Sequence, residues 1–170
     1  ANALMAGMCM DTKMFTLKTG VRTFEAASYL RRKGADTLIS KILLQDDLNT
    51  YTAKSDAVKN AKIYFDNIAI STFENNTDYG KVIAAQAADE LLNIKGIVAS
   101  FIILKNEEGL AISARSMGEV NVQVILEKLG GGGHLAIAGA QFPGEKNIET
   151  GVELLLTAIK KYKKENGSWK

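Results

Sequence analysis

The stretch Ile97-Val-Ala-Ser-Phe-Ile-Ile-Leu104-Lys-Asn106-Glu-Glu-Gly109-Leu-Ala-Ile-Ser-Ala-Arg115 decides the fold. From Ile97 to Leu104 the run is almost wholly apolar and rich in β-branched and aromatic side chains, which reads as a strand buried on both faces. Asn106-Glu-Glu-Gly109 supplies turn residues, so the chain doubles back into a second strand over Leu110–Arg115. Beyond it, Val122, Ile125, Leu126 and Leu129 recur at i, i+3, i+4 and i+7, an amphipathic helix that Gly130–Gly133 ends. A short strand near Gly139–Phe142 follows. Then comes a helix with Ile148, Val152, Leu155, Leu156, Ile159 and Tyr162 on one face. Upstream, Lys62–Phe65 and Ile68–Phe73 read as a hairpin around Asp66-Asn67, and Asp78 opens a helix carrying Val82, Ile83, Ala87, Leu91 and Leu92. The pattern predicts an α/β (α+β) fold, a mixed sheet of four to five strands covered by helices.

The first sixty residues differ in character. Ala1–Met10 begins as though already inside a helix, as a piece of a longer chain would. Met14-Phe-Thr-Leu17 alternates like a strand. Thr23 is placed to cap a helix through Phe24, Ala27, Ser28 and Leu30, stopped by Gly34. Asp36 is placed to cap another, with Leu38, Ile39, Ile42 and Leu43 at helical spacing. Between Gln45 and Asn60 the apolar pattern thins. The expected organisation is therefore a helical unit at 1–50, a linker at 51–60 and an α/β unit at 61–166.

Composition narrows the function classes. The chain has 170 residues, 46% hydrophobic and 24% charged, with one Pro, one Cys and one His, which excludes a collagen, a disulfide scaffold and a disordered chain. One cysteine forms no internal disulfide, which fits a reducing compartment, and Cys9 reads as a small core residue. No apolar run approaches the roughly 20 residues of a membrane span. The formal charge is +2, but Lys160–Lys170 holds five Lys and one Glu, +4, so the rest carries −2. Such a body lacks the charge of a long polyanion groove, and any anion must be recognised locally.

Local chemistry concentrates at two places. One glycine would cap the helix ending at Leu129, yet Gly130-Gly131-Gly132-Gly133 are followed by His134. Missing Cβ atoms let a ligand lie on the backbone, and successive N–H groups form an anion-binding concavity. His134 adds a donor able to become cationic near neutral pH. The second place is Ser113-Ala-Arg115-Ser116 at a strand end, where alternation puts Ser113 and Arg115 on one face. An Arg flanked by hydroxyls suits a phosphate or carboxylate. Asp11, closing the first apolar helix, is a lone candidate metal ligand, and a Mg²⁺ or Mn²⁺ centre needs several.

Arg115-Ser116, then Asn121-Val-Gln-Val-Ile-Leu-Glu-Lys-Leu-Gly-Gly-Gly-Gly-His134 and Ala138-Gly139, resembles the DHH-associated (DHHA1) domain, the substrate-binding C-terminal half of DHH phosphoesterases. Ala3-Leu-Met-Ala-Gly-Met-Cys-Met-Asp11-Thr-Lys-Met-Phe15 resembles the last metal-binding motif of the DHH domain that precedes it. Arg22–Asp36 is most similar to the membrane-anchored cyclic-di-AMP phosphodiesterases of Gram-positive bacteria. The resemblance implies a phosphodiesterase opening a cyclic dinucleotide to a linear one on two Mn²⁺ ions. Asp11 would be one ligand, and the others would lie in an upstream DHH domain of the same chain. Ser113, Arg115, Ser116, Gly131, Gly132, Gly133 and His134 would hold the substrate. The fragment would be cytoplasmic, its parent anchored to the membrane by upstream segments, and alone it would have little or no activity. A second copy, in a homodimer, is a further implied partner.

Two other readings compete. One is a nucleic-acid-binding module of a DHH-type exonuclease or oligoribonuclease, with short nucleic acid as partner. The weak charge and the assignment of Tyr64, Phe65, Phe101 and Phe142 to the core speak against it. The other is a dimerising structural domain whose glycine run is only a packing device.

Overall fold

The computed structural model describes residues 1–17, 19–77 and 79–167. The chain divides into two compact units, Ala1–Asp47 and Leu48–Lys170. The first contains α1 (Asn2–Asp11), α2 (Val21–Arg32) and α3 (Thr37–Ile42). Asp36 caps α3 as expected, its Oδ1 accepting from the Leu38 and Ile39 N–H groups at 2.7 and 3.1 Å. Asn2 Oδ1 accepts from the Asp36 N–H at 2.8 Å, fastening the start of α1 to this cap. Little else is buried: Met5, Ala6 and Ala35 are covered, whereas Leu4, Met10, Val21, Phe24, Tyr29, Leu38, Ile39, Ile42 and Leu43 stand exposed.

The second unit comprises α4 (Leu48–Lys59), β1 (Lys62–Tyr64), β2 (Ile68–Glu74), α5 (Gly80–Leu91), β3 (Ala99–Asn106), β4 (Gly109–Ser116), α6 (Val122–Glu127), β5 (Gly132–His134), β6 (Ile137–Pro143) and α7 (Ile148–Asn166). The strands form one mixed sheet in the order β1-β2-β3-β4-β6-β5. Only β2 and β3 are parallel, joined through α5, and the other neighbours are antiparallel. Strand alternation divides the side chains between two cores. On one face Ile68, Ile70, Phe101, Ile103, Leu110 and Ile112 pack with Ile125 and Leu126 of α6 and Leu155 and Ile159 of α7. On the other, Ala69, Ile102 and Leu104 pack with Ala57 of α4 and Ala84, Ala87, Ala88 and Leu91 of α5. Two buried hydroxyls tie those helices to the sheet: Ser71 donates to the Ala57 carbonyl, and Ser100 to that of Ala88 at 2.6 Å.

Several expectations need correcting. The stretch 51–60 is no linker but helix α4 up to Lys59, with fully buried Ala57 facing the sheet, and the units divide at Asp47. Met14–Leu17 forms no strand, because Lys13, Met14 and Phe15 all take positive φ in a turn closing α1. Gly20 rather than Thr23 precedes α2, and the Thr23 hydroxyl reaches back to accept from the Gly20 N–H at 3.3 Å. Cys9 is only half-buried. The sheet has six strands rather than four to five, the additional one being β5, made from the end of the glycine run. The expected role of Asp78 in opening α5 lies outside the described residues.

Candidate functional site

Helices α4 and α5 cover β2, β3 and one side of β4, leaving the β4–β6–β5 end of that sheet face open. Register then sets side chains in rows. Ser113 pairs with Gly139 and Gly139 with Gly132. Arg115 pairs with Ile137 and Ile137 with His134. Residues paired across strands share a face. Ser113, Arg115, Gly132 and His134 therefore lie on one open face, in two adjoining rows, although up to 21 residues separate them along the chain. Over the first row lies an open trough of about 530 Å³, walled by Lys81, Ala111, Ser113, Gly130, Gly131, Gly132, Gly139 and Gln141 among others. Arg115 and His134 stand one row beyond this wall.

The four glycines do different work. Gly130 takes a positive φ of 76° and closes α6. Its N–H donates to the Glu127 carbonyl at 3.1 Å, and that of Gly131 to the Leu126 carbonyl at 2.8 Å. Those two donors are thus spent on the helix end, and they form no anion-binding concavity. A Cβ at Gly131 would lie 2.2 Å from the Gly139 carbonyl oxygen, and one at Gly133 2.3 Å from that of Ile137. These two are glycine because β5 presses closely on β6. Gly132 is different: a Cβ there would meet nothing within 4 Å. With Gly139 opposite, it forms a floor of bare backbone. Bulk there would fill the trough without disturbing the fold.

Arg115 is held rather than free. Its side chain is 13% exposed, its Nε donates to Asp89 Oδ1 on α5 at 3.1 Å, and its Nη1 donates to the Ala114 carbonyl at 2.9 Å. Guanidinium has five N–H donors in a planar fork, so donors remain for an anion while the fork is fixed. Asp89 is thus a site residue that sequence reasoning misses, since nothing local links it to a strand 26 residues away. His134 is exposed, and it is placed by its neighbours. The Leu135 carbonyl accepts from the Val122 N–H at 3.0 Å and the Ala136 carbonyl from the Ser116 N–H at 2.9 Å, pinning the β5–β6 turn to α6 and β4. Between Arg115 and His134, Ile137 is 48% exposed, an apolar surface flanked by a cation and an imidazole.

Ser116 is not gathered into this face. Alternation turns it to the other side of the sheet, where it is buried and its Oγ accepts from the Gly118 N–H at 2.9 Å. Asp11 is exposed at the end of α1 in the first unit. Among the described residues no three His, Cys, Asp or Glu side chains are grouped to hold a metal. Among the same residues no helix is long and apolar enough to cross a membrane.

A fold with a six-stranded mixed sheet, a glycine-run edge strand and a His at its tip defines a class. The family described as the DHHA1 domain matches residues 65–161, and the chain belongs to that family. Among curated proteins, it is 49% identical over 163 residues to the cyclic-di-AMP phosphodiesterase PdeA of Listeria monocytogenes, covering 95% of this chain and 25% of that protein. It is 45% identical over 165 residues to the cyclic-di-AMP phosphodiesterase GdpP of Bacillus subtilis, with coverage of 95% and 25%. The chain thus spans about a quarter of the length of these relatives. The crystal structure of an exopolyphosphatase-related protein from Bacteroides fragilis is similar with a TM-score of 0.78 at 26% identity, covering 92% of this chain and 48% of that one.

Proposed function

We propose that this chain is the substrate-holding part of a phosphodiesterase that opens cyclic-di-AMP to its linear dinucleotide. The observation that carries the reading is the open face itself, where register brings Ser113, Gly132, Arg115 and His134 together over a floor without side chains. The relatives' names supply the substrate. A phosphate or sugar lies on the Gly132–Gly139 floor beside the Ser113 hydroxyl. The Arg115 fork, held by Asp89, takes phosphate oxygens. A nucleobase rests on Ile137 with His134 at its edge. Ser116, Gly131 and Gly133 act indirectly, through the turn and the β5–β6 packing.

In the intact protein a two-metal Mn²⁺ centre held by residues outside this chain would supply the hydrolytic chemistry. Asp11 alone does not fit such a centre, so this chain contributes binding and orientation and by itself turns over little or no substrate. Leu4, Met10, Val21, Phe24, Tyr29, Leu38, Ile39 and Ile42 stand exposed on α1–α3, and exposed apolar side chains in such number mark an interaction face. They form the inner side of a catalytic DHH domain whose larger part belongs upstream in the longer protein, which upstream segments anchor to the membrane with this part in the cytoplasm.

Titration with cyclic-di-AMP, its linear dinucleotide and a long single strand tests the assignment. Saturable dinucleotide binding with a shallow salt dependence is expected. A strong preference for length, with affinity falling steeply in salt, would instead mark a nucleic-acid module.

A further inference from the structure

We propose that Lys81 and Gln141 form a second anionic subsite, at the end of the trough away from Arg115, which takes the further phosphate of a ligand carrying two. The proposal deepens the reading above and rests on it. The trough over Gly132 does not stop at the glycines. It continues into a smaller hollow of about 300 Å³, and the two share Lys81, Ala111 and Gln141 in their walls. Register sets Gln141 opposite Ala111 on β4, with Arg115 four residues further along that strand. At about 3.3 Å per residue, the two ends are roughly 13 Å apart. Between them the floor is Ser113, Gly139 and Gly132, neutral and free of bulk. Lys81 in the wall of the groove and Arg115 one row beyond its far end flank a bare neutral floor, an arrangement complementary to a ligand with two separated negative charges. A nucleoside monophosphate engages only one end.

The two cations are prepared differently. Arg115 is fixed through Asp89 and the Ala114 carbonyl. Lys81 is paired at 3.0 Å with Glu108 of the β3–β4 turn, Lys81 about half exposed and Glu108 largely so. An exposed pair of this kind contributes little, so an incoming phosphate readily replaces the carboxylate. The Lys81 ammonium, on its flexible stem, then follows the phosphate as a point charge. Gln141, which shares the face of Gly139 by alternation, adds an amide donor to the same position.

The test is the affinity of the chain for linear pApA, with two phosphates, and for AMP, with one. Lys81→Ala is expected to weaken pApA binding roughly tenfold and leave AMP within twofold, Lys81→Arg to restore most of the loss, and Gln141→Ala to cost about threefold for pApA alone. Glu108→Gln, by freeing Lys81, is expected to tighten pApA. Lys105→Ala is the charge control, because Lys105 lies on the opposite sheet face, paired with Glu74 at 2.9 Å. Equal losses for both ligands, no loss for either, or a loss matched by Lys105→Ala overturns the subsite. If the unaltered chain binds both ligands and Lys81→Ala changes neither, only the subsite falls. If the unaltered chain binds neither, the reading of the trough falls with it.

Discussion

Alanine placed in turn at Gly131, Gly132 and Gly133 separates the part of the glycine run that builds the fold from the part that meets the ligand. At Gly131 the new methyl would sit 2.2 Å from the Gly139 oxygen and 2.9 Å from the Ala140 Cα, backbone atoms of β6, which is paired on its other side with β4. Relief requires β5 to lift from β6, and overpacking of this kind costs about 1–3 kcal/mol or more. At Gly133 a 2.3 Å approach to the Ile137 oxygen is joined by a φ of 150°, which L residues rarely adopt. Backbone strain adds about 1–3 kcal/mol there, making it the costliest of the three. At Gly132 nothing lies within 4 Å and φ is not in the positive region. Alanine there lowers the entropy of the unfolded chain and stabilises by about 0.4–1 kcal/mol. Denaturant unfolding followed by circular dichroism measures all three, with ligand titration on the same samples. The expected pattern is Gly133→Ala weakest, Gly131→Ala next, and Gly132→Ala at or above the starting stability but with reduced affinity. Gly132→Val is expected to remain folded and lose binding. Destabilisation by Gly132→Ala equal to that of Gly131→Ala, or undiminished binding by Gly132→Val, would refute the division.

Other outcomes follow from the same geometry. Asp89→Ala removes a charged hydrogen bond from the mostly buried Arg115 and is expected to cost about 1–2 kcal/mol of affinity for a phosphate ligand. In a double-mutant cycle with Arg115→Ala the two losses should overlap rather than add, and simple additivity would argue against positioning through Asp89. Tyr162→Phe deletes the hydroxyl that accepts from the Asn121 N–H at 3.0 Å, joining α7 to the start of α6, and should cost about 1–2 kcal/mol of stability by denaturant melts. The Lys128 ammonium, hydrogen-bonded at 2.6 Å, holds the Glu165 carboxyl below the usual carboxylate range. A depressed carboxylate stabilises above its unfolded pKa and is lost as pH falls through the folded one, so Lys128→Met should flatten the acid side of the stability profile.

Much of the α/β unit is written in local pattern. Strands β2, β3 and β4, the turn at Asn106–Gly109, the faces of α6 and α7 and the Asp36 cap all follow from periodicity and turn chemistry. What periodicity lacks is register. Ser113 and Arg115 share a face by alternation, but their meeting with Gly132 and His134 depends on β5 and β6 pairing antiparallel beside β4. A three-residue strand of two glycines and a histidine carries no strand propensity, so β5 is invisible beforehand. Helix α4 is hidden for another reason: it buries one alanine and leaves a polar surface. Gln141 was within reach, two residues after Gly139 and so on the same face. Lys81 and Asp89 were not, because α5 meets β4 only in the folded sheet.

The central claim is that a dinucleotide lies on the bare floor between Ser113 and Gly132. Backbone amide shifts of the isotopically labelled chain, recorded as cyclic-di-AMP is added, test it most directly. The account predicts the largest changes at Ser113, Gly132, His134, Ile137 and Gly139, progressing together to saturation. Saturable binding with those amides unmoved, and shifts gathered instead around α1–α3 or α7, would contradict it.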